Sequence, residues 1–296
     1  MNKRKGEREK GRRGVSPSPN PPIAQSLHSP AALITLLTDF GTADYFVSAM
    51  KGVILSLNPS SRIVDITHDI PALDIDAAAF TLLAAHSSFP AKTIHVAVVD
   101  PGVGSARKAV LIEAAGQFFV GPDNGIFSYV CERAGGARFF ELRNSAYFRP
   151  AVSKTFHGRD IFAPVAAAIA SGIMPKKLGR EIQDPVRLAP LRPAETKNGK
   201  LKARIIHIDR FGNCITNLTA QDLTAKMIAD GAYLAVNGTK IRSFRSFFSE
   251  QGARGKDLFG IWGSAGFLEL AATNRSAAKI LKAKKGQSVI VAYAKG

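Results

Sequence analysis

Four short stretches hold more carboxylates, cations and amides than the apolar runs beside them require. Thr38-Asp39-Phe40-Gly41-Thr42-Ala43-Asp44 sets two carboxylates between an apolar run and a helix-period segment, where Asp serves as a helix cap or as an acceptor for hydroxyls and cations. Asp100-Pro101-Gly102-Val103-Gly104-Ser105-Ala106-Arg107 follows a second apolar run. Its glycines invite a phosphate-loop reading, but it has neither Gly-Lys-Ser/Thr nor the full dinucleotide-binding spacing. Asp100 and Arg107 instead suit an oriented ion pair that holds the carboxylate charged. Thr155-Phe156-His157-Gly158-Arg159-Asp160 brings a His, an Arg and an Asp to the mouth of an Ala-rich helix, where a lone His is ordinarily a hydrogen-bonded surface residue. Asp209-Arg210-Phe211-Gly212-Asn213 reads by itself as a hairpin turn with an exposed Phe.

The elements that must carry these clusters come from periodicity. Apolar runs at 32–37, 63–66 and 94–99 alternate with helical patterns at 45–57 and 74–86, which is βαβαβ order. Phe46, Met50, Val53, Ile54 and Leu57 share one face of the first helix, and Thr42 or Asp44 is placed to cap it. Asp39 and Asp100 then stand at strand C-terminal ends, the edge of an open α/β sheet where ligands bind. Further strands are expected at 110–112 and 118–120, with helices at 126–134 and 161–171. Residues 187–200 hold two prolines and no apolar period, which marks a boundary; beyond it come short strands at 203–208, 214–218, 233–236, 267–270 and 289–292, with Asn237-Gly238 as a hairpin signal. The expected fold class is α/β: a basic, disordered tail over 1–30, an N-terminal α/β sheet domain over 31–190 and a small C-terminal β-barrel domain over 198–296.

Composition narrows the function. A net charge of +17 looks like a nucleic-acid signature, but +5 of it sits in the Gly-, Pro- and Ser-rich first 30 residues, and no RNA- or DNA-binding motif accompanies it. Nucleic acid is therefore not the expected partner. Apolar stretches such as 161–174 are shorter than the roughly 20 residues of a membrane-spanning helix, and no apolar segment follows the basic N-terminus as in a signal peptide. The two cysteines, Cys131 and Cys214, lack metal-ligand spacing and read as buried thiols of a reducing compartment. A cytoplasmic protein with no membrane association is the expectation.

In order along the chain, Leu37-Thr38-Asp39-Phe40-Gly41, Asp65-Ile66-Thr67-His68, Val99-Asp100-Pro101-Gly102-Val103-Gly104, Gly121-Pro122-Asp123-Asn124-Gly125, Phe156-His157-Gly158-Arg159-Asp160, Ile208-Asp209-Arg210-Phe211-Gly212-Asn213 and Leu268-Glu269-Leu270-Ala271 resemble the S-adenosyl-L-methionine hydroxide adenosyltransferases, relatives of the fluorinase and chlorinase. The resemblance implies a homotrimer with substrate held between the N-terminal domain of one copy and the C-terminal domain of the next. Carried over position by position, it gives the ribose hydroxyls to Asp39, the methionine ammonium to Asp44 and Asp209, the methionine carboxylate to Ser264 and the adenine edge to Asn213. Phe156 and Phe211 supply apolar or stacking surface. Ala277, in the Arg275-Ser276-Ala277 that replaces a usual Gly-Asn-Ala, is a further substrate contact; Gly263 stands where many relatives have Asn before the serine.

The family's water-activating Asp, Arg and His fall on Asp100, Arg107 and His157. The implied reaction is hydrolysis of S-adenosyl-L-methionine to adenosine and L-methionine, with Asp100 or His157 as the base and no metal or redox cofactor. Two alternatives stand beside it. A halogenase would have Tyr in place of Asp100, and the fluorinase a Ser in place of Gly158. A non-catalytic adenosylmethionine sensor or an RNA-associated protein would bind without turnover.

Overall fold

The computed structural model describes residues 31–196, 200–250 and 258–293; the expectation for the tail over 1–30 lies outside them. The N-terminal half opens with β1 (Leu33–Thr38), α1 (Phe46–Leu57), β2 (Arg62–Thr67), α2 (Ile75–His86) and β3 (Ile94–Val98). It continues through β4 (Ala109–Ala114), β5 (Gln117–Pro122), α3 (Ser128–Ala134), β6 (Ala137–Leu142), a single π-turn (Gly158–Phe162), α4 (Ala163–Ala170), α5 (Pro175–Leu178) and β7 (Gly179–Ile182). The strands form one sheet in the order β2-β1-β3-β5-β4-β6-β7, parallel from β2 to β5 and antiparallel from there to β7.

β1 and β3 are apolar without alternation because both faces of this sheet are covered. On one side Val47, Met50 and Ile54 of α1 pack with Phe162, Val165 and Ile169; on the other Ala78, Phe80 and Leu82 of α2 pack with Tyr129 and Val130 of α3. The chain leaves β1 for β2 on one flank and returns to β3 on the other. The order therefore reverses at β1/β3, and a crevice opens beyond the C-terminal ends of those two strands. Asp39 and Asp100 lie at that crevice.

Two local expectations are corrected. Neither Thr42 nor Asp44 caps α1, whose N-cap is Tyr45 with no side-chain bond. Gly41, at φ 65°, sends its amide to the His68 carbonyl, and the intervening residues bend before the helix begins. The second Ala-rich helix does not start at 161 but grows out of the π-turn at Gly158.

The C-terminal half comprises β8 (Ala194–Glu195), β9 (Leu201–Ile208), β10 (Cys214–Thr216), α6 (Ala225–Ala229), β11 (Ala232–Val236), β12 (Thr239–Ile241), β13 (Phe244–Arg245), β14 (Leu258–Trp262), β15 (Leu268–Ala272), α7 (Ala277–Leu281) and β16 (Ser288–Tyr293). The nine strands form one curled sheet, a half-barrel, in the order β12-β11-β16-β9-β10-β15-β14-β13 with β8 beside β9. The expected hairpin joins β11 to β12, with Asn237 at φ 47° and Gly238 at φ 77°, the left-handed pair that a type I′ turn needs. Its own core is built from Ile205, Leu234, Leu268 and Val289, while Ile206, Ile215 and Phe267 pack onto α2 of the first sheet. There the Phe80 ring stacks on His207 at 5.1 Å, and Lys285 pairs with Asp74.

Candidate active site

A cavity of about 320 Å³ occupies the β1/β3 crevice, lined by Asp39, Asp100, Phe156 and His157 together with Phe40, Phe46, Leu73 and Thr155. Arg107 lies behind Asp100. Its Nε donates to Asp100 Oδ1 and Oδ2, both at 3.0 Å, and its Nη2 to Oδ2 at 2.5 Å. The side chains of Asp100 and Arg107 are 5% and 10% exposed, so the pair is held in a poorly solvated place and the guanidinium gains the Phe162 ring at 5.4 Å.

Nη2 of Arg107 also lies 2.7 Å from His157 Nδ1. A guanidinium only donates, so Nδ1 accepts and the imidazole carries its proton on Nε2. Burial, and then the adjacent guanidinium, hold His157 below its ordinary pKa against the pull of Asp100 and Asp160. The triad expected from sequence is thus one contiguous network with neutral His157.

Two backbone features bring its loops together. Gly104, at φ 78°, packs so closely on the next loop that an added Cβ would lie 2.2 Å from the Lys154 carbonyl oxygen. Asp160 is fully buried; although burial works against its charge, hydrogen bonds from Arg159 and from the Ser153 amide hold its carboxyl below the usual range. That anchors both ends of the loop that presents Phe156 and His157. Phe156 meets Phe40 and Phe46 edge-on at 6.0 and 5.2 Å, which forms the apolar wall of the cavity.

Asp39 lines the cavity and accepts the Leu73 amide on Oδ2 at 2.9 Å. Asp44 is exposed and stands outside this cavity. A second cavity, about 890 Å³, lies in the C-terminal half and is lined by Asp209, Phe211 and Asn213 with Phe248, Glu269 and residues 272–276. Asp209 accepts from the amides of Phe211 and Asn213 and from Asn213 Nδ2 at 2.9, 2.8 and 2.9 Å, so it organises the turn as well as facing the cavity. Asn213 is left with its carbonyl oxygen and one N–H, the pair that an adenine edge requires. Ser264 is exposed at the turn before β15 and Ala277 is fully buried in the β core; neither lines this cavity. Asp39 and the triad on one side, and Asp209 with Asn213 on the other, are therefore at separate cavities of one chain.

Sequence reasoning missed several lining residues. Phe46 was visible only as a core position of α1, and Leu73, at φ 64°, carries no local signal for that backbone. Glu269 had one: a lone charge inside an apolar strand. Burial, and then Asp209, push its carboxyl above the usual range.

Residues 34–179 match the model of the SAM hydroxide adenosyltransferase N-terminal domain, and residues 203–290 that of the C-terminal domain. The chain belongs to the SAM hydroxide adenosyltransferase family. Among its relatives, an (R)-S-adenosyl-L-methionine hydrolase of Methanocaldococcus jannaschii is 37% identical over 273 residues, covering 88% of this chain and 96% of that protein. One of Thermus thermophilus is 36% identical over 266 residues, with 86% and 98% covered. A fluorinase of Actinoplanes sp. is more distant, 27% identical over 292 residues with 88% and 98% covered. The crystal structure of an uncharacterized conserved protein from Thermotoga maritima superposes on this SAM hydroxide adenosyltransferase fold with a TM-score of 0.80 at 34% identity, covering 87% of this chain and 99% of that one.

Proposed function

We propose that this chain hydrolyses (R)-S-adenosyl-L-methionine to adenosine and L-methionine. The observation that carries this reading is the contiguous Asp100–Arg107–His157 network at the wall of the β1/β3 cavity. The sulfonium is already a good leaving group, so the enzyme's task is to orient a water toward C5′ and exclude other solvent. No metal or redox cofactor has a part in that step.

The hydrogen bonds within the network support one division of roles. Both lone pairs of Asp100 Oδ2 are committed to Arg107, whereas Oδ1 receives only Nε and keeps one free. That lone pair takes the water's proton. His157, its Nδ1 filled by Arg107, offers Nε2–H and is a donor that fixes the water's oxygen. Arg107 orients Asp100 and holds His157 in this tautomer. Asp39 holds the ribose diol and the rings of Phe40, Phe46 and Phe156 surround the nucleoside.

The methionine and adenine ends fall to the other cavity, with Asp209 and Asn213, and Asp44, Ser264 and the backbone near Ala277 close over them from outside it. That those groups line separate cavities of one chain supports a complete site formed between copies, and the family resemblance makes that assembly a homotrimer. Phe211 and Phe248, 78% and 52% exposed, line the second cavity and supply apolar surface for that docking. Both cysteines are buried and unpaired, and no described helix is long and apolar enough to cross a membrane, in keeping with a cytoplasmic enzyme.

Product analysis in oxygen-18 water tests the reading. The expected result is adenosine labelled at its 5′ oxygen together with methionine, unaffected by chelator. Binding without turnover, or a 5′-halogenated nucleoside as the only product, would overturn it.

A further inference from the structure

The turn that carries Asp39 is held from behind by a chain of polar groups to which the reaction assigns no part. Thr38, fully buried, accepts the Phe40 amide on Oγ1 at 3.2 Å and lies 2.8 Å from Nδ1 of His68, itself 5% exposed. His68 Nε2 sits 3.1 Å from Asp65 Oδ1, off the line of a straight hydrogen bond, and Asp65 Oδ2 receives Lys51 Nζ at 2.6 Å. The His68 ring thus meets the Thr38 hydroxyl with Nδ1 on one side and faces the Asp65 carboxylate with Nε2 on the other.

The backbone repeats the same join. The Gly41 amide donates to the His68 carbonyl at 2.8 Å, the Ile70 amide to the Thr38 carbonyl at 3.4 Å, and the Leu73 amide to Asp39 itself. Beyond the pairing of Thr38 with Val98 and the ring contacts of Phe40, residues 38–41 are thus tied at three amides to one loop, 68–73, and the His68 side chain adds its contact with Thr38.

We infer that Thr38 and His68 are positioning residues for substrate: through the Phe40 amide and the 68–73 loop they fix the direction of the Asp39 carboxylate. This rests on the reading of Asp39 as the ribose-binding group. A hydroxyl buried beside a buried imidazole has no apolar reason to be there, since Val would fill the same space. The chain also ends at the half-exposed Asp65 and Lys51, 37% and 34% exposed, so it is a tether rather than a sealed core contact.

The test is a double-mutant cycle read by calorimetric affinity for adenosine and by steady-state kinetics with S-adenosyl-L-methionine. Thr38→Val should weaken adenosine binding and raise KM by about 5- to 20-fold, the loss expected of one buried hydrogen bond and the aim it sets, with kcat changed less than about 3-fold. Thr38→Ser, which keeps the hydroxyl, should restore both. In an Asp39→Ala background Thr38→Val should add nothing, because the group it aims is gone. Full additivity in that background, or unchanged KM in folded Thr38→Val, overturns the inference. If Thr38→Val does not fold, Asp65→Asn enters the same cycle, with a smaller effect in the same direction expected and additivity again refuting. An Asp39→Ala variant that binds adenosine as tightly as the parent would instead refute the ribose assignment on which the inference rests.

Discussion

Replacing Asp100 by Asn separates water activation from substrate binding. The side chain keeps its size, but only one of its two ends can now accept from Arg107. The three contacts at 2.5–3.0 Å orient the carbonyl end toward the guanidinium, because an NH₂ there would oppose its N–H groups. The amide nitrogen then points where Oδ1 held its free lone pair. It offers water a donor in place of an acceptor. The catalysed step should slow by about 10²-fold or more, the range for loss of a general base. At 5% exposure the change also leaves Arg107 without its counter-charge, so stability should fall by about 1–3 kcal/mol. Adenosine affinity should stay within about 3-fold, since the role proposed for Asp100 is toward the water and not the nucleoside. Single-turnover chemistry, calorimetry and thermal unfolding read the three quantities. Turnover near the parent rate in a folded Asp100→Asn variant would refute the assignment of the base.

The remaining expectations concern binding, pH and assembly. On the proposed ribose-binding role, Asp39→Ala removes a contact made equally in ground and transition states, so steady-state kinetics should show KM rising by about 10-fold or more with kcat little changed. Because burial and Arg107 depress the His157 pKa below 6.5, the neutral tautomer persists through pH 6.5, and kcat/KM should fall only at lower pH; an acidic limb above 6.5 would contradict the network. His95, its pKa pushed down to about 4 chiefly by burial, contributes stability that is full above its unfolded value of 6.5 and is lost as pH falls from there toward 4; melting curves should show this slope, and His95→Asn should flatten it. If the two cavities combine between copies, refolding Asp100→Asn with Asn213→Ala subunits should restore about one quarter of parental activity, the share of randomly paired interfaces that carry neither change; no recovery would place the site within one chain.

The parts of this fold legible in sequence were those fixed by burial over a few residues. β1 and β3 read as apolar runs because helices cover both faces, and Asn237-Gly238 read as a hairpin because few other pairs adopt two left-handed residues. β6 escaped notice because its exposed face is charged: Arg138 pairs with Glu113 and Glu181 across neighbouring strands, pairings that one segment does not display. The cap of α1, though not its extent, was misassigned for a related reason, since the Gly41 amide is taken by His68 from another loop. In the site, the Asp100–Arg107 pair was legible from spacing and charge. That His157 closes onto it was not, being a contact across 50 residues made possible by Gly104 packing on Lys154. Family resemblance supplied what spacing left open.

The choice of nucleophile follows from the same geometry. Asp100 presents a carboxylate to the cavity with its compensating guanidinium behind it, so an incoming anion meets the negative end of the pair first. At an effective dielectric of about 20, two unit charges about 4 Å apart repel by about 4 kcal/mol, roughly a thousandfold in occupancy, and the more distant Arg107 returns only part of this. Water, uncharged and able to donate to that carboxylate while accepting from His157, suffers no such penalty. The far wall offers an anion little help: a Cβ added at Gly158 would lie 3.1 Å from Met50 Sδ, 3.4 Å from the Phe156 ring and 3.6 Å from that of Phe40, so a larger polar side chain there would have to displace apolar neighbours before it could donate to a halide. Exchanging water for halide therefore asks for the loss of the Asp100 carboxylate as well as a new donor, and a substitution at Gly158 alone leaves that carboxylate in place.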